Sequence, residues 1–180
     1  MAAKSNLKNM ALVLTGVCLL CSAILGVVYA VTYDPIKAAA KKALELSIGK
    51  VLPDGGTLSD AQNADGFEYY VSEFADGTHA YAVKSSTIGF GGPLTLMVGV
   101  LEDGTVHNTS VLECNETPGL GAKCQTDQAF IDQWKGFNGV FKVTKDGGDV
   151  DAITASTITS RAYTLAVENA VKFVKSLGNE

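Results

Sequence analysis

The apolar positions of the chain form one long N-terminal stretch, followed by shorter patterned segments separated by turns. No residue from Met10 to Val31 is charged, and a helix of that length crosses a hydrocarbon layer of about 30 Å. We therefore predict a transmembrane helix over residues 10–31, after an N-terminal tail of residues 1–9. A cleaved secretory signal is the alternative, because lysines precede the stretch, but the apolar core of such signals is usually shorter.

The segment after this helix is predicted to lie near the membrane. Asp34-Pro35 should end the helix, because proline lacks the N–H group that an α-helix needs. Residues 32–48 then form an amphipathic connector, in which lysines interrupt an alanine and leucine face. The remaining residues, 49–180, are long enough for one domain.

The first half of that domain has the pattern of antiparallel strands. Asp76-Gly77 and Asp103-Gly104 are typical hairpin turns. The segment before the second turn is apolar on both faces, which indicates a central strand. The predicted strands are Phe67–Phe74, Thr78–Ser85, Pro93–Leu101 and Val106–Glu113.

The second half is predicted to be mainly helical. A short helix with a threonine cap is expected at Thr126–Trp134, then a strand at Phe137–Thr144 and a turn at Gly147-Gly148. A long helix should begin within residues 157–160 and run to about Ser176. Its buried stripe would be Ala162, Leu165, Ala166, Ala170, Phe173 and Val174. Strands joined by hairpins, with helices at the ends, predict an α+β fold with a mainly antiparallel sheet.

Composition and charge narrow the classes of function. The chain is 47% hydrophobic and only 18% charged, which excludes a disordered protein. Its net charge of -5 argues against binding to nucleic acid. Cys114 and Cys124 are too few for a zinc or iron-sulfur site, so no metal centre is expected. They could form a disulfide in an extracytoplasmic domain or remain free thiols.

Three irregular stretches are candidates for a binding site. Gly89–Pro93 contains three glycines, which permit a close approach of the backbone to a ligand, although a sheet bulge would have the same composition. Residues 116–123 combine a carboxylate, a hydroxyl, glycines and a lysine, as ligand-binding loops and ordinary turns both do. Residues 151–160 carry several hydroxyls before the long helix, where they could hold a phosphate or simply cap the helix.

Side-chain catalysis is not indicated. The sequence has no GxSxG, HExxH or P-loop motif, and its two histidines have no ligand spacing. We therefore expect no catalytic residue, and we expect any chemistry to come from a cofactor.

Together these stretches carry a family resemblance. The run from Gly89 to Leu94, the run from Glu116 to Gly121 and the run from Asp151 to Thr157 follow one membrane helix in this order. In this arrangement the chain resembles the FMN-binding domain family, and within it the flavin-bearing G subunits of Rnf complexes. The C subunit of sodium-translocating NADH:quinone reductase is a close relative of those proteins. The resemblance covers essentially the whole chain.

The resemblance implies covalent FMN. In the family, a flavin transferase uses FAD to join FMN by a phosphoester bond to the last threonine of a D-x-x-[ST]-G-A-T pattern. That threonine is Thr157 here. Ala155 and Ser156 replace the glycine and alanine of the pattern, so Ser156 is a rival acceptor. Asp151 and Thr154 are expected to present the loop to the transferase or to bond the phosphate.

The resemblance also implies which residues surround the flavin. Leu120 is expected to pack on the isoalloxazine ring, Thr117 and backbone groups to face its polar edge, and Phe90 to line its pocket. Lys123, or alternatively Lys142, is expected to neutralise the phosphate or the reduced flavin. Further cofactor-binding positions implied by the same loops are Glu116, Gly119, Gly121, Ile158 and Thr159.

The expected function is electron transfer within a membrane complex. The resemblance implies a redox subunit of an ion-translocating ferredoxin:NAD oxidoreductase, with the other subunits of the complex as partners. It also implies that residues 49–180 form an FMN-binding domain on the extracytoplasmic side of the inner membrane. Two alternatives stay open, a membrane-anchored flavin reductase that acts alone and a docking or assembly protein without redox activity. The altered Ala155-Ser156 pair favours the second alternative.

Overall fold

The N-terminal helix is longer than the sequence predicts. The computed structural model describes residues 7–178, so residues 1–6 of the predicted tail lie outside it. Helix α1 runs from Leu7 to Val51, 45 residues, and it is long and apolar enough to cross a membrane. The prediction that Asp34-Pro35 ends the helix is wrong. Proline destabilises the interior of a helix, but the alanines and lysines after Pro35 favour the helix, and α1 continues past it.

The chain divides into two units, Met1–Lys42 and Ala43–Glu180. In the first unit, the described part of α1 exposes its apolar side chains. The second unit contains the end of α1, a six-stranded antiparallel sheet and the remaining helices. The sheet order is β1-β3-β4-β5-β6, with β2 paired to β3. The strands are β1 (Thr57–Leu58), β2 (Gln62–Ala64), β3 (Phe67–Glu73), β4 (His79–Ile88), β5 (Pro93–Leu101) and β6 (Val106–Cys114).

Both faces of this sheet are covered, which explains why β5 is apolar except for Thr95. Leu96 and Val98 of β5 belong to the larger core beneath the C-terminal helix. Met97, on the opposite face, packs with Ile48 and Val51 from the end of α1. A side chain at Gly99 would overlap the carbonyl group of Val51, so glycine allows this close approach of helix to strand.

The predicted short helix is shorter than expected, the last helix agrees with its prediction, and two 3-10 helices are not predicted from the sequence. A 3-10 helix spans Gly121–Gln125, α2 spans Gln128–Asp132, a second 3-10 helix spans Thr144–Asp146, and α3 spans Thr157–Leu177. The predicted threonine cap of the short helix is wrong, because Asp127 accepts the N–H of Ala129 and caps α2 instead.

The predicted strand at Phe137–Thr144 is also wrong. Only isolated bridges form there, between Val106 and Phe137 and between Val143 and Val150. The N–H of Val140 donates to the Asp149 carboxylate at 2.7 Å, so this backbone is satisfied by a neighbouring loop and not by the sheet edge. In α3, the predicted stripe is buried except for Leu165, which is 48% exposed. The α+β prediction is confirmed.

Candidate functional site

The three irregular stretches meet around one cavity of about 380 Å³ in the second unit. A volume of this size is typical of pockets for small molecules and cofactors. The loop between β4 and β5 forms one wall, the loop after β6 forms a second, and the start of α3 forms the third. The lining residues are Phe90, Glu116, Thr117, Leu120, Gly121, Ala155, Ser156, Thr157, Ile158 and Thr159.

Glu116 joins the first two walls. Its side chain is 8% exposed, and its Oε1 atom accepts the N–H of Phe90 at 2.7 Å. A Cβ atom on Gly89 would overlap the same carboxylate, so only glycine leaves room for this contact. A hydrogen bond to an ionised acceptor is stronger than a neutral one, and it therefore fixes the Phe90 loop against the Glu116 loop.

Gly121 brings the second wall against the third. A Cβ atom at this position would lie 2.5 Å from Oε2 of Glu116 and 2.6 Å from Oγ1 of Thr159. Any larger residue would push the start of the 3-10 helix away from α3. The glycine thus allows the second wall of the cavity to approach the third.

The loop before α3 is held by a serine inside the helix. Ser160 Oγ accepts the N–H of Ile153 and donates to the carbonyl of Ser156, both at 3.0 Å. Between them, Ala155 has a φ of 62°, the left-handed region that favours glycine. The family pattern has glycine at this position, and Ala155 adopts the backbone conformation that favours glycine.

The start of α3 has no side-chain cap. Ser156 is the N-cap residue, but its side chain makes no capping hydrogen bond. Its hydroxyl is buried and has no hydrogen-bond partner, although the residue lines the cavity. Buried polar atoms are rarely unpaired, so this hydroxyl and the free N–H groups of the first helical turn are suited to a polar ligand group.

Thr157, the first residue of α3, is half-buried and has a cation beside it. Lys145 Nζ lies 3.5 Å from the Thr157 hydroxyl oxygen. The neighbouring Asp146 binds Arg161 of α3 with two contacts of 2.7 Å, which holds the second 3-10 helix against the first turn of α3. These bonds from the Arg161 guanidinium hold the pKa of Asp146 below its usual value. A hydroxyl, a lysine and a helix N-terminus are groups that favour a nearby phosphate.

Three large apolar side chains of the cavity lining are exposed. Phe90 is 70% exposed, Leu120 is 44% exposed and Ile158 is 53% exposed. Large apolar side chains that meet at the surface are typical of ligand sites and interfaces. The cavity therefore suits a molecule with a flat apolar body and a phosphate group.

Most of the site residues predicted from the sequence lie together. Nine of them line the cavity, namely Phe90, Glu116, Thr117, Leu120, Gly121, Ser156, Thr157, Ile158 and Thr159. The other four predicted residues, Gly119, Lys123, Asp151 and Thr154, do not line it. The backbone of Asp151 is held by the side chain of Gln133, whose oxygen accepts its N–H at 2.8 Å and whose nitrogen donates to its carbonyl at 3.2 Å.

Two features of the site are not predicted from the sequence. Lys145 stands next to Thr157, whereas the sequence pointed to Lys123 or Lys142 as the cation at the phosphate. The adjacent residue, Asp146, forms an ion pair with Arg161 of α3, and tertiary contacts of this kind leave no local signal in the sequence. The left-handed turn at Ala155 is the second feature, although the glycine of the family pattern was a signal for it.

Comparison with known proteins agrees with this geometry. Residues 89–172 match the family model of the FMN-binding domain, and that range includes all three walls of the cavity. The chain is 32% identical to the G subunit of the ion-translocating oxidoreductase complex of Shewanella amazonensis, over 96% of this chain and 90% of the relative. It is 33% identical to the G subunit of the proton-translocating ferredoxin:NAD(+) oxidoreductase complex of Clostridium ljungdahlii, over 89% of this chain and 88% of the relative.

A solved structure shares the fold. The crystal structure of the C subunit of the Na(+)-translocating NADH-quinone reductase from Parabacteroides distasonis matches with a TM-score of 0.50 and 24% identity. The match covers 72% of this chain and 81% of that one.

Proposed function

Because this chain belongs to the family of G subunits of ion-translocating oxidoreductase complexes, we propose that it transfers electrons through FMN bound covalently to Thr157. It is a subunit of an Rnf-type oxidoreductase complex and contains an FMN-binding domain. The covalent bond would be a phosphoester between the threonine hydroxyl and the phosphate of FMN, made by a separate flavin transferase with FAD as donor.

The observation that carries this proposal is the position of the Thr157 hydroxyl. It stands at the edge of the cavity, at the N-terminus of α3 and 3.5 Å from Lys145 Nζ. A phosphate on this oxygen would face the positive end of the helix dipole and the lysine ammonium. Ser156 is a poorer acceptor, because its hydroxyl is buried and less open to a transferase, while Thr157 is half-buried.

The remaining walls suit the ring system of FMN. Phe90, Leu120 and Ile158 offer apolar contact, while Glu116 keeps the two outer loops at a fixed separation. The unpartnered hydroxyl of Ser156 can donate to a polar atom of the cofactor. When bound, FMN supplies electron transfer in steps of one or two electrons.

The anchor and the partners complete the proposal. Helix α1 would hold the flavin domain at the membrane beside the other subunits of the complex. We place the domain on the extracytoplasmic side. A covalent bond there would prevent loss of the cofactor by dilution.

The test is the production of the full-length chain together with the flavin transferase, followed by denaturing gel electrophoresis under ultraviolet light. We expect a fluorescent band for the parent and for Ser156→Ala, and no fluorescence for Thr157→Ala. Thr126→Ala is the matched control, because it removes the hydroxyl of an exposed threonine that does not line the cavity. A fluorescent Thr157→Ala band would contradict the attachment site, and a dark parent band would favour a docking protein without redox activity.

Electron transfer itself is tested in membranes that contain the whole complex. We expect Thr157→Ala to abolish ferredoxin-dependent NAD reduction while the variant chain remains assembled. Unchanged activity in assembled Thr157→Ala complexes would contradict the relay. Turnover of a small electron acceptor by the isolated chain would instead favour a reductase that acts alone.

A further inference from the structure

Two cysteines stand at the two ends of the loop that forms the second wall of the cavity. Cys114 is the last residue of β6, and Cys124 lies in the 3-10 helix Gly121–Gln125. Their sulfur atoms are 3.8 Å apart, although the residues are ten positions apart in the chain. In the structure both are free thiols. From this geometry we propose that Cys114 and Cys124 form a disulfide in the mature protein.

The geometry requires little movement for this bond. A disulfide has a sulfur separation of about 2.05 Å, so the two sulfurs must approach by less than about 2 Å. The backbone on both sides is already fixed, since Cys114 pairs with Leu94 of β5 and Cys124 is fully buried in the core. Rotation of the Cys114 side chain, which is only half-buried, supplies most of the approach.

A metal site is a poor explanation for the same pair. Zinc and iron-sulfur centres need further thiolate or imidazole ligands. Within residues 7–178, no group of three or more His, Cys, Asp and Glu side chains is placed to hold an ion. The pair is therefore suited to oxidation and not to coordination.

The two thiols have different roles in the reaction. Burial, together with the neighbouring Cys114, raises the pKa of Cys124 to about 12, so Cys124 is not the first nucleophile. The more exposed Cys114 attacks the disulfide of a thiol–disulfide oxidoreductase and forms a mixed disulfide, and one thiol of the oxidant leaves. Cys124 then loses its proton, attacks the sulfur of Cys114 and expels the second thiol. The chain loses two electrons and two protons, and the oxidant gains both.

The bond would fasten the wall that faces the cofactor. Residues 115–123 lie between the two cysteines and include Glu116, Thr117, Leu120 and Gly121. Within this loop, the N–H groups of Leu120 and Ala122 both donate to the carbonyl of Thr117. A cross-link at the base of such a loop restricts its freedom in the unfolded chain and opposes its opening in the folded one. The stabilised loop would face FMN, and the disulfide would form in an oxidising extracytoplasmic compartment. Both statements rest on the proposed function.

The first experiment detects the bond directly. The full-length protein is purified from membranes, alkylated in denaturant without reductant and digested with trypsin. The cysteines fall in two adjacent peptides, residues 85–123 and 124–135. We expect these peptides to remain linked and to separate only after reduction. Cys18 and Cys21, exposed on α1, are the internal control and should be alkylated without reductant. Separate, alkylated 85–123 and 124–135 peptides would overturn the proposal.

The second experiment measures what the bond does. Thermal unfolding is followed by the fluorescence of Trp134, the only tryptophan, in protein made without the transferase. Closure of a loop of this size should raise the midpoint by about 5 to 10 °C over the reduced protein. Cys114→Ser should melt like the reduced parent under both conditions. Equal midpoints for oxidised and reduced parent would show that the bond does not fasten the loop.

These measurements are independent of the flavin. A linked peptide pair without a fluorescent flavin band would leave the disulfide standing and contradict the proposed function. A flavin band with separate, alkylated peptides would contradict only the disulfide.

Discussion

Replacement of Glu116 tests whether this carboxylate holds the first two walls of the cavity together. Glu116→Ala removes the carboxylate that accepts the N–H of Phe90 at 2.7 Å. It also leaves unfilled the space that this carboxylate occupies beside Gly89 and Gly121. A hydrogen bond to a charged group contributes about 1.5 to 3 kcal/mol. Phe90 is 70% exposed, so water can replace part of the lost bond. We therefore expect the free energy of unfolding to fall by about 2 kcal/mol.

The assay is urea unfolding of the full-length chain in detergent, without flavin, followed by the fluorescence of Trp134. This residue is fully buried and is the only tryptophan, so its emission reports the unfolding of the second unit. With a slope of about 2 kcal/mol per molar urea, the midpoint should fall by about 1 M.

Two further variants make the result interpretable. Glu116→Gln keeps an oxygen acceptor for the N–H of Phe90 and should lose less than half as much as Glu116→Ala. Glu113→Ala is the matched control, because it removes an exposed carboxylate near the end of β6, the strand that precedes the Glu116 loop. It should change the free energy of unfolding by less than about 0.5 kcal/mol. Equal losses for Glu113→Ala and Glu116→Ala would refute the reasoning.

Three other predictions concern the phosphate end, the turn before α3 and the sheet. Lys145→Ala should slow flavin attachment to Thr157 by up to about fivefold, since an exposed ionic contact contributes up to about 1 kcal/mol. A time course of gel fluorescence measures this rate, and an unchanged rate would contradict a role of Lys145 at the phosphate. Ala155→Val should lower the free energy of unfolding by at least about 1 kcal/mol, because a β-branched residue fits a φ of 62° poorly, while Ala155→Gly should not lower it. Lys84 lies 2.8 Å from the Glu68 carboxylate and holds the pKa of Glu68 below its usual value. The ion pair therefore stabilises the fold above about pH 4, and this contribution is lost as the pH falls through the pKa of Glu68 in the folded protein. The urea midpoint of the parent should therefore decrease more than that of Glu68→Gln between pH 6 and pH 3, by the equivalent of about 0.5 kcal/mol, and parallel profiles would contradict the assignment.

The sequence predicts the four longer strands well, because the signals for them are local, but it does not predict the short strands β1 and β2. The bounds of β5 agree with the prediction, and β3 and β6 differ from it by one residue at one end. Asp-Gly turns and alternating apolar positions act over a few residues, so they identify hairpins without knowledge of the whole fold. The strand β4 continues three residues beyond its predicted end, to Ile88, since its partner β5 begins at Pro93 and pairs with it there.

The errors occur where a distant contact decides the local structure. Residues 137–144 have strand-like composition, but Asp149 takes the N–H of Val140 and the segment becomes a loop. Leu165 follows the helical period, yet it lies at the edge of the covered face and is exposed. Pro35 would end many helices, but the residues that follow it favour helix strongly enough to continue α1.

In the candidate site too, features with local sequence signals were predicted and features that depend on distant contacts were not. The three stretches were predicted from their glycines, hydroxyls and charges, and the structure brings nine of the predicted residues to one cavity. Their contacts with a cofactor stay predictions. Lys145 could not be found from the sequence, because its approach to Thr157 is a tertiary contact between residues twelve positions apart.

The most direct test of the central claim is the mass of one peptide. Trypsin cleaves after Lys145 and after Arg161, which releases residues 146–161 with Thr157 inside. In protein purified from cells that contain the flavin transferase, we expect this peptide to carry one FMN phosphoryl group, and fragment ions to place it on Thr157. The unmodified peptide alone, or the group on Ser156, would contradict the assignment of Thr157 as the covalent flavin site.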